Sequence, residues 1–162
     1  MIVEDAVLPQ DIAAAQALNN AAVPAVNALS AEAMTALCEI GALRIVRGDD
    51  GIDGLCLTIR DGMPYDSMNY QWFSGQFDRF LYVDRIVVAP GAKGKGVGRA
   101  LYEDTIALAA SHGLPRVCAE VNTDPPNPQS MAFHARLGFQ PIIDRLNPGE
   151  GKTVRMMVRP IE

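Results

Sequence analysis

The spacing of apolar residues predicts short strands and two alanine-rich helices in the first half of the chain. In order, the predicted elements are a strand over residues 1–8, helices over residues 9–22 and 30–40, and strands over residues 42–47 and 55–59. Ser30 is a typical N-cap for the second helix, and Gly48-Asp49-Asp50-Gly51 is typical of a hairpin turn. Residues 62–78 follow neither the helical nor the strand period, so we expect an irregular segment there.

Strands and helices alternate in the second half of the chain. In order, the predicted elements are a central strand over Leu81–Val88, a helix over residues 98–111, a strand over residues 116–121, a helix over residues 128–137, and a closing hairpin from residues 140–144 and 153–159. Gly113 is predicted to end the first of these helices, and Asp124-Pro125-Pro126 to end the strand that follows it. No long linker, repeat or low-complexity tract interrupts this order, so residues 1–162 are predicted to form a single domain.

Composition and charge exclude several classes of protein. Hydrophobic residues make up 49% of the chain, which indicates a globular domain rather than a disordered one. The net charge of −5 argues against a general nucleic-acid partner. No apolar stretch approaches the ~18 residues of a membrane span, and the N-terminus lacks a signal-peptide pattern, so we expect no membrane partner and a cytoplasmic location.

The cysteines and histidines do not have the spacing of a metal site. Cys38, Cys56 and Cys118 are far apart in the sequence and form no CxxC pair, and the chain has two histidines. The three cysteines are therefore predicted to be buried thiols in a reducing compartment. No metal cofactor is expected.

A glycine-rich stretch separates the central strand from the next helix. It reads Lys93-Gly94-Lys95-Gly96-Val97-Gly98-Arg99-Ala100. Glycines at alternate positions expose backbone N–H groups where a helix begins, and the N-terminus of a helix attracts phosphate. This sequence lacks the Lys-Ser/Thr pair of a P-loop and the third glycine of a dinucleotide-binding fingerprint, so it matches neither motif fully. The stretch predicts a polyphosphate-binding loop, and the alternative is a glycine-rich turn that only caps the helix.

Two segments resemble the GNAT superfamily of acyl-CoA-dependent N-acetyltransferases. Lys93, Gly96 and Gly98 fill the superfamily's pyrophosphate pattern Gln/Arg-x-x-Gly-x-Gly/Ala, with lysine in place of the usual Gln or Arg. Its second pattern is Asn-x-x-Ala/Ser-x-x-apolar-Tyr-x-x-x-Gly-Phe. This pattern is matched by Asn127, Ser130, Phe133, His134, Gly138 and Phe139, with His134 in the tyrosine position.

The resemblance implies an α/β (α+β) protein with the GNAT acyl-CoA N-acyltransferase fold, a mixed and mostly antiparallel central sheet flanked by helices. It also implies acetyl-CoA (coenzyme A) as the acyl donor, held by residues of both segments and of the central strand. The backbone of Ile86, Val87 and Val88 would bind the pantetheine arm, and Lys93 to Ala100 would meet the pyrophosphate. Asn127, Ser130, Phe133 and His134 are the further residues expected at the coenzyme. Dimers are frequent in the superfamily, so a homodimer is one expectation.

Asp84 and Arg85 interrupt the otherwise apolar Leu81–Val88. Charges inside a sheet are costly unless they are paired, so one interpretation is a mutual or neighbouring salt bridge. The other is catalysis, because a protonated amine must lose a proton before it attacks a thioester, and a carboxylate accepts that proton directly or through water. Some superfamily members use an acidic residue at the position of Asp84 in this way. Glu120, on the neighbouring predicted strand, is the alternative base, and we favour Asp84.

His134 is the third candidate catalytic residue. The tyrosine that it replaces protonates the departing CoA thiolate in many superfamily members. A histidine can do the same near neutral pH, or it can donate a hydrogen bond to the sulfur. The alternative is a surface histidine with satisfied hydrogen bonds. Asn127 precedes Pro128, which is typical of an N-cap followed by proline and is compatible with a contact to CoA.

An aromatic segment precedes the central strand and is the candidate acceptor site. It contains Tyr70, Trp72, Phe73, Phe77 and Phe80. It could be a loop folded onto the core, but in the GNAT superfamily the corresponding segment lines the acceptor side of the cleft. Asp66 and Asp78 nearby would attract a cationic amine. We therefore assign acceptor binding to the aromatic side chains of this segment, namely Tyr70, Trp72, Phe73 and Phe77.

The resemblance therefore predicts an enzyme that transfers an acetyl group directly from acetyl-CoA to the amine of a small-molecule or amino-acid-like acceptor. Two alternatives remain open: a non-catalytic module that binds or senses acyl-CoA, and an acetyltransferase of protein N-termini or lysines. All of them need the glycine-rich loop. Only an enzyme needs Asp84 or Glu120 together with His134.

Overall fold

The computed structural model describes residues 1–124, 126–147 and 150–162, in which the chain forms seven strands and five α-helices. In chain order they are β1 (Val3–Asp5), α1 (Pro9–Ala21), α2 (Ala31–Ile40), β2 (Ala42–Gly48), β3 (Gly51–Arg60), α3 (Met68–Gln76), β4 (Leu81–Val88), α4 (Val97–Ser111), β5 (Arg116–Asp124), α5 (Pro128–Arg136), β6 (Gln140–Asn147) and β7 (Lys152–Pro160). Pro125, which was expected to help end β5, lies outside the described residues. None of the helices in these ranges is long and apolar enough to cross a bilayer.

The backbone packs as two compact units that share β4 and α4. The first unit comprises Met1–Ile59 and Val83–Thr105, and its strands lie in the order β1-β2-β3-β4. The second unit comprises Arg60–Tyr82 and Ile106–Glu162, with the strand order β4-β5-β7-β6. The pairs β1–β2, β2–β3, β5–β7 and β7–β6 are antiparallel, and β4–β5 is parallel. The predicted fold class, with a mixed and mostly antiparallel sheet, is confirmed.

Most predicted elements of the first unit form at the expected places. Ser30 is the N-cap of α2, where its hydroxyl oxygen accepts a hydrogen bond from the Ala33 N–H at 3.1 Å. The predicted hairpin is β2–β3, which closes at the pair Gly48 and Gly51. The predicted first strand is shorter than expected, since β1 covers only Val3–Asp5.

The prediction of an irregular segment over residues 62–78 is wrong, because α3 forms at Met68–Gln76. The Ser67 hydroxyl caps the helix by accepting from the Tyr70 N–H at 3.4 Å. Tyr70 and Phe73 lie three residues apart, so both face inward and are fully buried. The Tyr70 ring lies 5.7 Å from that of Phe80, which comes from outside the helix. Tertiary aromatic packing therefore stabilises a helix that has no clear apolar period of its own.

The parallel ladder between β4 and β5 is short in the described structure. It joins Leu81 with Val117 and Tyr82 with Cys118, and β4 continues to Val88 beyond the last of these pairs. β5 continues to Asp124, where its partner is β7. The two strands are therefore paired with each other only at their beginnings.

Gly54 on β3 allows the first turn of α4 to approach the sheet. A Cβ at this position would lie 2.6 Å from Cγ1 of Val97 and 3.2 Å from the Val87 carbonyl oxygen. Val97 is 2% exposed, so the start of α4 is held against β3 with no room for a side chain between them.

We expect Gly54→Ala to lower the free energy of unfolding by about 1–3 kcal/mol, because an inserted methyl group overpacks this contact. Gly91→Ala is the matched control, since a Cβ at Gly91 would meet no atom within 4 Å. Urea unfolding of both variants measures the difference. Equal midpoints for Gly54→Ala and the parent protein would contradict the close approach.

Candidate active site

The glycine loop, residues 93–100, is exposed on its outer side. Gly94 and Gly96 have φ angles of +79° and +85°, a conformation that side chains other than glycine rarely adopt, and a Cβ at either position would meet no atom within 4 Å. Lys93, Lys95 and Arg99 are exposed around them. The loop therefore presents open backbone surrounded by positive charge.

The residue that precedes the first turn of α4 is Gly96, which has no side chain. The Ala100 N–H donates to the Gly96 carbonyl at 3.0 Å and closes the first turn, while Gly96 has no side chain that could accept from the helix. In any α-helix the first N–H groups, here those of Val97, Gly98 and Arg99, have no acceptor within the helix. These groups and the positive end of the helix dipole favour an anion at this position.

Arg99 also forms an ion pair with Glu103 one turn later in α4, at 2.8 Å. The two side chains are 72% and 58% exposed, so the pair contributes little to stability. Arg99 can therefore turn toward an anion at little cost.

The side chains of β4 alternate between two environments. Arg85 and Val87 are buried on one face of the strand, and Asp84, Ile86 and Val88 share the other face. Ile86 and Val88 are half-buried there, whereas the Asp84 side chain is 4% exposed.

Asp84 and Arg85 form the salt bridge that the sequence left as one interpretation. Arg85 Nε donates to Asp84 Oδ2 at 2.8 Å, and the two side chains are 6% and 4% exposed for Arg85 and Asp84 respectively. Arg85 Nη1 also donates to Asn19 Oδ1 at 3.1 Å and to the Asn27 carbonyl at 3.3 Å. The guanidinium thus links β4 to α1 and to the segment between α1 and α2.

Sequence reasoning missed the amide side chains that hold the α1–α2 segment. Asn19 is fully buried and donates to the Asn27 carbonyl at 3.0 Å. Asn20 donates to the Leu29 carbonyl at 3.0 Å and accepts from the Leu29 N–H at 2.9 Å. The only sequence signal is the polar end of α1, where Gln16, Asn19 and Asn20 interrupt an alanine-rich helix.

Glu120 lies in the second unit and is held by neutral donors. The Tyr82 hydroxyl donates to Glu120 Oε1 at 2.7 Å, and Asn69 Nδ2 donates to the same oxygen at 3.0 Å. These partners come from β4 and α3, so three elements fix the carboxylate. Neither donor carries a formal charge.

His134 is buried on α5 and is held as the neutral ring. Its Nδ1 lies 2.7 Å from the Ser130 carbonyl oxygen, which can only accept, so Nδ1 carries the proton. Burial lowers the pKa of His134 below its ordinary value, and the hydrogen bond to Ser130 opposes that shift to a smaller extent. The rings of Phe133 and Phe139 pack edge-on against the imidazole at 5.9 and 5.3 Å. In the neutral ring Nε2 has no proton to donate, so the predicted acid role requires the imidazolium.

The start of α5 confirms the predicted cap. The Asn127 side-chain oxygen accepts from the Ser130 N–H at 3.2 Å, and Pro128 takes the first helical position. Asn127 is exposed and Phe133 is half-buried. Their contacts with CoA remain predictions.

The four residues assigned to the acceptor fall into two pairs. Tyr70 and Phe73 are fully buried, and the Tyr70 hydroxyl donates to the Arg60 carbonyl at 2.6 Å, so these two side chains belong to the core of the second unit. Trp72 and Phe77 are half-buried. The guanidinium carbon of Arg145 lies 5.4 Å from the centre of the Trp72 ring, and that of Arg116 lies 4.2 Å from the Phe77 ring.

The cysteines are free thiols. Cys56 and Cys118 are fully buried as predicted, and burial raises the pKa of each to about 12. Cys38 is half-buried, and burial raises its pKa as well. Thiols that stay protonated at neutral pH are poor nucleophiles, so we assign them no part in the chemistry.

The family comparison agrees with the segments that carry these residues. The model of the "Acetyltransferase (GNAT) family" matches residues 55–139, which is more than half of the chain and includes β4, the glycine loop and α5. The chain belongs to the GNAT acetyltransferase family. The resemblance seen in the two sequence segments is therefore confirmed, and membership of this family indicates an acetyl-CoA-dependent acetyltransferase.

Solved GNAT structures share the fold along almost the whole chain. The ribosomal-protein-S18-alanine N-acetyltransferase of Escherichia coli has a TM-score of 0.74 at 19% identity, covering 99% of this chain and 94% of that one. The ribosomal-protein-alanine N-acetyltransferase of Brucella melitensis has a TM-score of 0.75 at 16% identity, with 99% of each chain covered. The NatC complex bound to Gag peptide and CoA gives 0.75 at 11% identity, covering 99% and 98%. A comparison with curated proteins found no match.

The pKa of His134 predicts a pH-dependent stability. Because burial lowers this pKa below 6.5 in the folded protein, the unfolded chain binds more protons as the pH falls through about 6.5. We therefore expect the contribution of neutral His134 to the free energy of unfolding to be fully present above this pH. This contribution should be lost progressively as the pH falls below it. Urea unfolding of the parent and of His134→Gln between about pH 5 and pH 7.5 measures the effect.

His112→Gln is the control, since His112 is the other histidine and is exposed. The decrease below pH 6.5 should be smaller in His134→Gln and unchanged in His112→Gln. Identical pH profiles in all three proteins would show that His134 is not held in the neutral form.

Proposed function

We propose that this protein transfers an acetyl group from acetyl-CoA directly to the amine of a small, amino-acid-like acceptor. The observation that supports it best is the glycine loop, whose open backbone and exposed cations precede the start of α4 in a GNAT family chain. Bound acetyl-CoA supplies an activated acetyl thioester. Every other contribution comes from side chains and backbone groups of this chain.

The described residues fit the pyrophosphate of CoA. A side chain at Gly94 or Gly96 would occupy open space where the phosphates are expected, and the first N–H groups of α4 are the donors. Lys93, Lys95 and Arg99 would neutralise the phosphate charge. The backbone of Ile86, Val87 and Val88 would bind the pantetheine arm, because these residues lie beyond the last described β4–β5 pair.

Glu120 is the base that the local chemistry favours. Protonation of Asp84 would leave the buried guanidinium of Arg85 without its carboxylate partner, which is costly. Protonation of Glu120 takes no charged partner from the donors Tyr82 and Asn69, since both are neutral. Glu120 can therefore accept a proton from the amine and release it again, while Asp84 keeps Arg85 and the α1–α2 segment in place.

His134 has a separate role in this proposal. Its neutral ring, with Nδ1 donating to the Ser130 carbonyl, braces the first turns of α5. The proton for the departing thiolate then comes from water at neutral pH, and from His134 only where the imidazolium forms.

The solved structures support a second candidate function. Two of the GNAT neighbours act on ribosomal-protein alanine, and a third is bound to a Gag peptide, so a protein N-terminus is the alternative acceptor. The family also allows a module that binds acyl-CoA without transfer. Measuring the release of CoA distinguishes these three candidate functions: release with small amines supports the first, release with peptides supports the second, and no release with either supports a binding module. A single domain, a cytoplasmic location and a homodimer remain predictions.

Acetyl-CoA should raise the melting temperature, because a ligand that binds only the folded state stabilises it by about 2.7 kcal/mol at a hundredfold excess over Kd. Gly96→Val should abolish the shift, since a β-branched side chain disfavours the positive φ and fills the phosphate position. Gly62→Val is the matched control, because Gly62 has a φ of +79° and equally open surroundings outside the glycine loop. A full shift in Gly96→Val would show that the coenzyme binds elsewhere.

Glu120→Gln should lower kcat/KM by about 10²–10⁴-fold, and the deficit should shrink as the pH rises and more of the amine arrives deprotonated. Asp84→Asn should instead destabilise the protein by about 3–5 kcal/mol, because it removes the buried partner of Arg85. Its remaining deficit in kcat/KM should not depend on pH. The reverse pattern, a pH-dependent deficit in Asp84→Asn alone, would assign the base role to Asp84.

A further inference from the structure

Among the buried polar atoms of the second unit, three outside Glu120 have no hydrogen-bond partner in the described residues. They are Asn69 Oδ1, Arg145 Nη1 and Asn147 Oδ1. Buried polar groups in folded proteins are nearly always hydrogen-bonded, so each such atom requires an explanation. The proposed catalysis uses none of these three atoms.

Arg145 is the most demanding of the three because it carries a permanent charge. Two carboxylates near Arg145 have other partners. Asp144, its neighbour in the sequence, pairs with Arg155 at 2.8 Å. Glu120, which also contacts α3, accepts from Tyr82 and Asn69. Within residues 1–124, 126–147 and 150–162 no carboxylate forms an ion pair with Arg145. A guanidinium N–H that is buried without an acceptor is unfavourable unless a bound group supplies one.

The strand register places Arg145 on the same face of the sheet as Glu120. Glu120 pairs with Met156 and Met156 pairs with Ile143, so these three side chains share a face. Arg145 is two residues after Ile143 and therefore points to the same side. With β7 between the two strands, the lateral separation of β5 and β6 is about 10 Å.

Helix α3 connects the two positions. Asn69 donates to Glu120 at 3.0 Å, and Trp72, one turn later, stacks against the Arg145 guanidinium at 5.4 Å. Residues three apart on a helix have Cβ atoms about 5–6 Å apart. The Asn69 acceptor and the Arg145 donor therefore lie within the span of a small molecule. Arg145, Trp72 and Asn69 are each half-buried, while the atoms Asn69 Oδ1 and Arg145 Nη1 are themselves buried.

We propose that Arg145 binds the carboxylate of the acceptor while Asn69 Oδ1 accepts from its ammonium group, so that the acceptor is a free α-amino acid. The proposal rests on the acetyltransferase function proposed above and names its substrate class. A guanidinium presents parallel N–H groups that match the two oxygens of a carboxylate, and Trp72 holds its plane by stacking. The amine is then presented beside Glu120, the proposed base.

Binding can be measured directly in the presence of CoA, without turnover. The probes are two matched series: phenylalanine, phenylalaninamide and phenethylamine, and alanine, alaninamide and ethylamine. In titration calorimetry we expect at least one of the two acids to bind at least tenfold more tightly than its amide and its decarboxylated amine. Equal binding within each series would overturn the proposal, as would failure of both acids to bind. Tighter binding of the amides would favour a peptide N-terminus instead.

Arg145→Met removes the charge but keeps a long side chain against Trp72, and it should abolish the preference for the acid. Arg145→Lys keeps the charge without the paired donors and should retain part of the preference. Arg155→Met, on the neighbouring strand, is the control, because Arg155 belongs to the exposed pair with Asp144. The control should keep the full preference for the acid. Unchanged selectivity in Arg145→Met would overturn the proposal.

The melting temperature of the ligand-free protein separates a binding role from a structural one. Because Arg145 Nη1 has no partner in the described structure, Arg145→Met should leave this temperature unchanged or raise it. A lower temperature with unchanged selectivity would make Arg145 a structural residue. If only the proposed acetyltransferase function is wrong, an amino acid will bind in an Arg145-dependent way but will not be acetylated.

Discussion

A buried guanidinium inside the central strand is the constraint on which much of the first unit depends. Arg85 is 8% exposed, and a charge in that position must be compensated by nearby groups. Asp84 supplies the opposite charge, and Asn19 and the Asn27 carbonyl supply the remaining acceptors. The segment between α1 and α2 is thus shaped by a side chain far away in the sequence. A strand, a helix and a connecting segment become ordered together because one charge needs all three.

The glycine loop depends on positions that carry no side chain. Gly54 lets the first turn of α4 lie against β3, and this contact buries Val97. Gly96 then leaves the first N–H groups of the helix uncovered. The base of the loop is fixed by close packing while its outer side stays open. In the proposed function the backbone groups are therefore the main anion-binding groups, and the lysines add charge around them.

Features that depend on local sequence were predictable, and features that depend on distant contacts were not. The central strand at Leu81–Val88, the Ser30 and Asn127 caps and the glycine loop are encoded by neighbouring residues, and the structure has them where they were expected. Helix α3 was missed because its stability comes from rings such as Phe80 that lie outside it. The requirement for glycine at position 54 is equally invisible in the sequence, since it arises from Val97 in a later helix.

The candidate site residues of the two units differ in the charge of the groups that they contact. In the first unit the charges are permanent: Arg85 is locked to Asp84, and the cations of the glycine loop stay exposed. The buried pair holds the backbone, and the exposed cations favour an anion near the start of α4. In the second unit Glu120 accepts hydrogen bonds from the neutral donors Tyr82 and Asn69, and burial favours the neutral form of His134. Protonation of Glu120 would not take the carboxylate partner away from a cation among these donors. The chemical reason to assign binding to the first set and proton transfer to the second is therefore the charge of their partners rather than their residue types.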